Sequence, residues 1–119
     1  MPDTMKLLAR LYDRFNARDI NGALMTMHPD VVWDNDLEGG YVHGHAGVRG
    51  YWTRQWEMIN THAEPIQYSH GDDGKVTVEV RLTARDADGN LAYDNVGRHI
   101  IQLENGLIKH FEVRARPET

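Results

Sequence analysis

From Met5 to Phe15 apolar side chains recur at intervals of three and four: Met5, Leu8, Leu11 or Tyr12, and Phe15. The spacing predicts an amphipathic helix ending near Asn16-Ala17, with Asp3 or Thr4 accepting from the free amides of its first turn. Asp19 or Asn21 then caps a shorter helix on which Ile20, Ala23, Leu24 and Met27 share a face. Pro29 is expected to stop it, because it lacks an amide hydrogen and restricts His28. Val31, Val32 and Trp33 favour extended backbone, Gly39-Gly40 a turn, and Tyr41 to His43 a short return strand. The period then returns to about 3.6, with Val48, Trp52, Gln55, Trp56 and Ile59 on or near one face of a third helix from about Ala46 to Asn60.

Beyond that helix the period is two. Ala63 to His70 predicts a strand, with Pro65 placing it on an edge. Gly71-Asp72-Asp73-Gly74 is a turn, and Val76, Val78, Val80, Leu82 and Ala84 then alternate with polar residues. Leu91 to Leu103 and Leu107 to Arg116 follow as strands, separated by the hairpin signal Asn105-Gly106. The expected architecture is α+β: a cone-shaped roll in which three helices from the N-terminal half cover a strongly curved, mainly antiparallel sheet. With 119 residues and no linker composition, the chain is expected to form a single domain over 1–119.

Composition narrows the function. The formal net charge is -5, from 18 acidic and 13 basic side chains, which gives no electrostatic footprint for nucleic acid. No apolar run approaches the ~18 residues of a membrane span, so no membrane partner is expected and the cytoplasm is the expected location. Cysteine is absent, which removes thiol chemistry and disulfides. No nucleophile elbow, phosphate loop, dinucleotide fingerprint or zinc-protease helix is present.

Candidate chemistry gathers in two places. Asp34, Asn35 and Asp36 close the first strand, either at a pocket mouth beside the aromatic helix or as a solvated acidic turn. Alternation places Trp33 and Asn35 on one face and Asp34 on the other. His99 shares a face with Tyr93, Asn95, Gly97, Ile101 and Leu103, a row polar at one end and apolar at the other. A neutral histidine there can donate, accept or move a proton, or it can simply hold a strand. His43 and His45 lie at a strand end and a helix start with no third ligand, so neither a metal nor a cofactor is expected.

Four stretches together resemble one family: Leu11-Tyr12-Asp13-Arg14-Phe15-Asn16-Ala17-Arg18-Asp19, Met27-His28-Pro29-Asp30-Val31-Val32-Trp33, His43-Gly44-His45-Ala46-Gly47-Val48-Arg49, and His99-Ile100-Ile101-Gln102-Leu103 before Gly106-Leu107-Ile108. In this order the chain resembles the nuclear transport factor 2-like superfamily, more closely its SnoaL-like and ketosteroid-isomerase-like branch. In ketosteroid isomerases a tyrosine and a neutral aspartic acid bind the carbonyl oxygen while another aspartate moves the proton. The resemblance puts Leu11 at the tyrosine position with Tyr12 beside it, Asn35 at the base with Asp34 beside it, and His99 at the acid. Asn35, an amide, cannot remove a proton.

Strand and helix faces give a pocket walled by Trp33, Trp52, Trp56, Tyr93 and Asn95, and the resemblance adds Phe111 and Val113 as another wall. One reading is catalysis on a small, mostly apolar carbonyl compound by proton transfer or hydration, with His99 as acid or base, Asn35 and Tyr12 orienting the substrate, and Asp34 taking part where a bulge turns it inward. The alternative is a non-catalytic protein that binds such a molecule, since this fold hosts both. The resemblance also implies a homodimer through the outer sheet face, where Val96 and Ile100 form an apolar centre ringed by longer polar side chains.

Overall fold

The computed structural model describes residues 2–35, 39–71 and 73–115, so Asp36 of the acidic turn, Asp72 of the second turn and Arg116 of the last strand lie outside the described residues. The elements run α1 (Pro2–Asn16), α2 (Ile20–Leu24), β1 (Met27–Asp34), β2 (Tyr41–His43), α3 (Gly44–Met58), β3 (Asn60–His70), β4 (Lys75–Arg85), β5 (Leu91–Glu104) and β6 (Leu107–Ala115). The strands form one six-stranded sheet in the order β2-β1-β6-β5-β4-β3. β3 to β6 make an antiparallel meander, β2 pairs antiparallel with β1, and β1 joins β6 in parallel. This is the expected α+β cone, a curved and unclosed sheet with its helices in the N-terminal half. Register shifts at Pro65/Gln67, Ala84/Arg85 and Gln102/Leu103 bend the long strands that wrap it.

Local chemistry accounts for the element ends. Asp19 caps α2, its Oδ1 accepting from the Gly22 N–H at 3.0 Å. Asn16, at the end of α1, uses its amide as a strand would: Nδ2 donates to the Ala63 carbonyl at 2.8 Å and Oδ1 accepts from the Ala63 N–H at 2.9 Å. That pair fixes the base of α1 to the sheet. Asn105 and Gly106 both take positive φ, 53° and 77°, as the hairpin between β5 and β6 requires.

The expected stop at Pro29 is corrected by the structure. α2 ends at Leu24, and Pro29 lies inside β1. Thr26 closes the helix, with Oγ1 donating to the Ala23 carbonyl at 2.6 Å, while the Thr26 carbonyl already accepts from the Ile108 N–H of β6 at 2.9 Å. Pairing with β6 therefore draws Met27 into the sheet. Pro29 is tolerated because it falls in the irregular stretch between the Met27 and Val32 pairs, where no amide is needed. α3 begins two residues earlier than its period suggested, and β3 begins at Asn60 instead of Ala63. Pro65 does lie on an edge strand, as β3 ends the sheet.

The core fills the space between helices and inner sheet face. Leu8 and Leu11 of α1, Val48 and Trp52 of α3, and Val31, Val78, Val80 and Ile101 of the sheet are buried together. Each full burial of such a side chain contributes roughly 1.5–3 kcal/mol, which holds the three helices onto the curve. The space between α1, α3 and the inner sheet face is incompletely filled, and the site lies there.

Candidate functional site

A cavity of about 310 Å³ opens between the inner sheet face, α1 and α3. Its walls are largely apolar, with Phe15, Trp33, Trp52, Leu82, Phe111 and Val113 among them. Trp33 and Phe111 face each other in the β1–β6 register and stack with centroids 3.7 Å apart and planes 2° apart. Trp52 meets Trp33 edge-on at 5.3 Å and Phe15 at 5.0 Å. Trp52 thus meets both neighbours edge-on, an arrangement aromatic pairs prefer.

Two polar side chains lie among these rings. Tyr12 and His99 are 4% and 6% exposed, and the Tyr12 hydroxyl lies 2.7 Å from His99 Nδ1. Both line the cavity. Burial pushes the Tyr12 hydroxyl well above the usual phenol range, with a smaller contribution from Tyr68. Burial also lowers the His99 imidazolium to about 3. Both groups are therefore neutral across the physiological range. A neutral phenol and a neutral imidazole carry two hydrogens between them, and their mutual bond uses one. Whichever tautomer holds, the pair keeps one donor for an acceptor in the cavity.

The expected carboxamide and carboxylate positions are exchanged. Asn35, read as the inward residue, is buried but does not line the cavity; its backbone instead closes the turn, accepting from Gly39 and donating to Gly40. Asp34, read as outward, reaches the lining. Because β1 ends there, its side chain takes the place of a backbone partner, with Oδ2 accepting from the Val113 N–H of β6 at 3.1 Å. Alternation along a strand does not foresee a side chain that substitutes for the ladder at the strand's end.

Of the expected walls, Trp33, Trp52, Phe111, Val113 and Tyr93 line the cavity, Tyr93 at its open end with 49% exposure. Trp56 and Asn95 do not. Trp56 is half-buried behind Phe15 and Trp52, its outer face covered by the Arg18 guanidinium at 4.8 Å. Asn95 is exposed, and its Oδ1 accepts from the adjacent Val96 N–H at 2.8 Å.

Sequence reasoning passed over Tyr51 and Thr61 and assigned no role to Gln55. These three make a polar strip on the lining. Trp56 Nε1–H donates to Thr61 Oγ1, the Thr61 hydroxyl to Gln55 Oε1, and Gln55 Nε2–H to the Tyr51 oxygen, each at 3.3 Å. Tyr51 lies three residues after Val48, so the helical period alone marked it for the inner face. Thr61 carried no such signal, since it sits where helix gives way to strand.

Among the described residues no group of three or more His, Asp or Glu is placed to hold a metal ion. His45 Nε2–H donates to the Met27 carbonyl at 3.0 Å, and His28 Nε2 lies 3.2 Å from Glu104. Among the described residues no helix is long and apolar enough to cross a membrane.

The family model described as a SnoaL-like domain matches residues 8–111. No protein of curated function matches the sequence. Among solved structures, an NTF2-like protein of unknown function from Burkholderia pseudomallei is 24% identical, covering 98% of this chain and 92% of that one with a TM-score of 0.85. A putative polyketide cyclase from Xanthomonas campestris pv. campestris is 20% identical over 96% and 90%, with a TM-score of 0.83. A Mycobacterium tuberculosis protein in complex with estradiol-17beta-hemisuccinate is 14% identical over 93% and 92%, with a TM-score of 0.80. At these identities the likeness is one of fold.

Proposed function

The chain belongs to the SnoaL-like domain family, and from its cavity we propose that it takes a small, mostly apolar carbonyl compound and anchors the carbonyl oxygen on Tyr12 and His99. The observation that carries this reading is the buried 2.7 Å Tyr12–His99 contact at the edge of an apolar cavity. Two neutral, buried polar groups retaining one donor suit an acceptor oxygen, and a desolvated donor gains strength from the low local dielectric. A fixed donor aimed at a carbonyl favours the negative charge that develops when a neighbouring carbon loses a proton. His99, held neutral, acts as donor and not as base, as a lowered imidazole does in other carbonyl sites. Asp34 is the carboxylate on the lining that accepts the proton. The reaction class is proton transfer, or hydration, beside the carbonyl. The steroid ester bound by the Mycobacterium tuberculosis relative of the fold supports a multi-ring apolar ligand.

A second reading, binding without chemistry, is favoured by one observation: Asp34 Oδ2 is already engaged by the Val113 N–H. Deuterium exchange at the carbon beside the carbonyl of androstanone, followed by mass spectrometry, separates the two. Exchange accelerated by the protein and lost in Asp34→Asn supports the enzyme. Androstanone that binds without accelerated exchange supports the carrier.

We further propose that two copies associate through the outer sheet face. Val96 and Ile100 are half-buried there within one chain, two apolar side chains with half-buried Arg98 between them. Part of the charge on that face is already paired within the chain: Arg81 grips Asp94 with two bonds of 3.0 and 2.8 Å, and Glu112 accepts from Arg114 and Tyr41. Internal pairing lowers the cost of covering these groups, which leaves Val96 and Ile100 as the centre of the interface.

A further inference from the structure

The polar strip of Tyr51, Gln55 and Thr61 lines the same cavity as the Tyr12–His99 pair, yet anchoring one carbonyl oxygen leaves it without a role. Donor accounting gives it one. The Thr61 hydroxyl gives its single hydrogen to Gln55 Oε1, which orients the amide, and Gln55 Nε2 gives one of its two hydrogens to Tyr51. The second amide hydrogen is the donor this wall presents to an occupant. All three bonds in the strip are 3.3 Å, long for their kind, so Gln55 turns toward a new acceptor at little loss.

Position along the sheet separates the two polar groups. Thr61 pairs with Ala84, and His99 pairs with Val78. Six residue steps of β4 separate those rows, a contour of roughly 20 Å at about 3.3 Å per residue that the curvature of the sheet shortens through space. The Thr61 row continues to Tyr93, the half-exposed residue at the open end. His99 sits among the closed rings of Phe111 and Tyr12, with centroids at 4.6 and 5.7 Å. One anchor is deep and the other is near the mouth, with apolar walls between.

We propose that Gln55 is a second, specificity-determining anchor, so that the ligand is an elongated apolar molecule with two acceptor oxygens: a carbonyl at the deep end and a ketone, ester or ether oxygen at the outer end. This rests on the carbonyl-anchor reading of Tyr12 and His99. Nothing in the strip accepts a cation or matches a carboxylate with a charge, so the outer group is a neutral acceptor.

The test is calorimetric titration of the whole chain with androstanone, which has one ketone, and androstanedione, which has one at each end of the same rigid skeleton. The dione is expected to bind roughly tenfold tighter, the worth of one well-placed hydrogen bond to a buried donor. Gln55→Leu is expected to bring the affinity ratio of the two ligands to near one. Thr61→Val, which removes the hydroxyl that orients the amide, is expected to lower the ratio as well, and thermal unfolding of both variants verifies that they fold. A ratio near one in the unaltered protein, or a ratio that survives Gln55→Leu, overturns the second anchor. Monoketone binding weakened by Tyr12→Phe supports the deep anchor whatever the ratio does, so the two readings fail separately. Absence of binding by either ketone overturns both.

Discussion

Tyr12 and His99, 87 residues apart in sequence, meet through a 2.7 Å contact between hydroxyl and Nδ1 with their ring planes 9° apart. α1 supplies one and β5 the other, so the pair exists only when the helix is seated on the sheet. It is at once a tertiary fastening and the polar feature that gives the apolar cavity a direction.

Tyr12→Phe removes the fastening while preserving the ring. His99 Nδ1 is then buried without its partner, and the expected loss in denaturant unfolding is about 1–3 kcal/mol. A loss near zero would mean that water replaces the hydroxyl and that the pair contributes nothing to seating α1.

The depressed imidazole makes stability depend on acid. In the unfolded chain His99 binds a proton near pH 6.5, whereas in the folded chain it does so only at about 3. The unfolded state therefore holds more protons between those values, and stability falls as pH is lowered through that window, by at most ~1.4 kcal/mol per pH unit from this residue. Above pH 6.5 the contribution is constant. Urea unfolding from pH 7 to 4 is expected to show a steeper decline for the unaltered chain than for His99→Gln. Equal slopes, or an imidazole NMR titration of His99 near pH 6.5, would contradict the buried neutral ring.

The two tryptophans of α3 are expected to differ. Trp52 is 2% exposed and touches Trp33 and Phe15, so Trp52→Ala should cost about 3–5 kcal/mol. Trp56 is half-buried, and part of its contact is the Arg18 guanidinium, worth ~0.5–1 kcal/mol at such a site. Trp56→Ala should therefore cost ~1–2 kcal/mol, and denaturant unfolding of both variants checks the order.

Much of this was legible from periodicity. Helical spacing found α1 and α3, strict alternation found β4, and Asn105-Gly106 found its hairpin, because in each case one local rule and the final burial agree. Pro29 is a helix stop by local rules, whereas the pairing of Thr26 and Met27 with Ile108 is a long-range contact no local rule contains. Asp34 and Asn35 were exchanged for a similar reason: the Val113 amide that holds Asp34 comes from the far end of the chain. The Tyr12–His99 contact was out of reach too, although both residues had been singled out. The side-chain chain from Trp56 to Tyr51 depends on where α3 hands over to β3, which propensity does not locate to a residue.

The proposed dimer is read by sedimentation over a concentration series. A mass near twice the 13.6 kDa of the chain is expected, shifting to the monomer on Val96→Lys or Ile100→Glu. A monomer at high micromolar concentration would contradict it, and a dimer indifferent to both changes would place the interface elsewhere.

In the proposed site a carbonyl oxygen accepts from the neutral Tyr12–His99 pair. The most direct test is the ¹³C resonance of a carbonyl-labelled androstanone bound to the protein, because hydrogen bonding to the oxygen draws electron density from that carbon and moves the signal downfield. A downfield shift relative to the ketone in an apolar solvent is expected, reduced in both Tyr12→Phe and His99→Gln. A bound ketone whose resonance matches the apolar solvent, or a downfield shift that both variants leave intact, would contradict it.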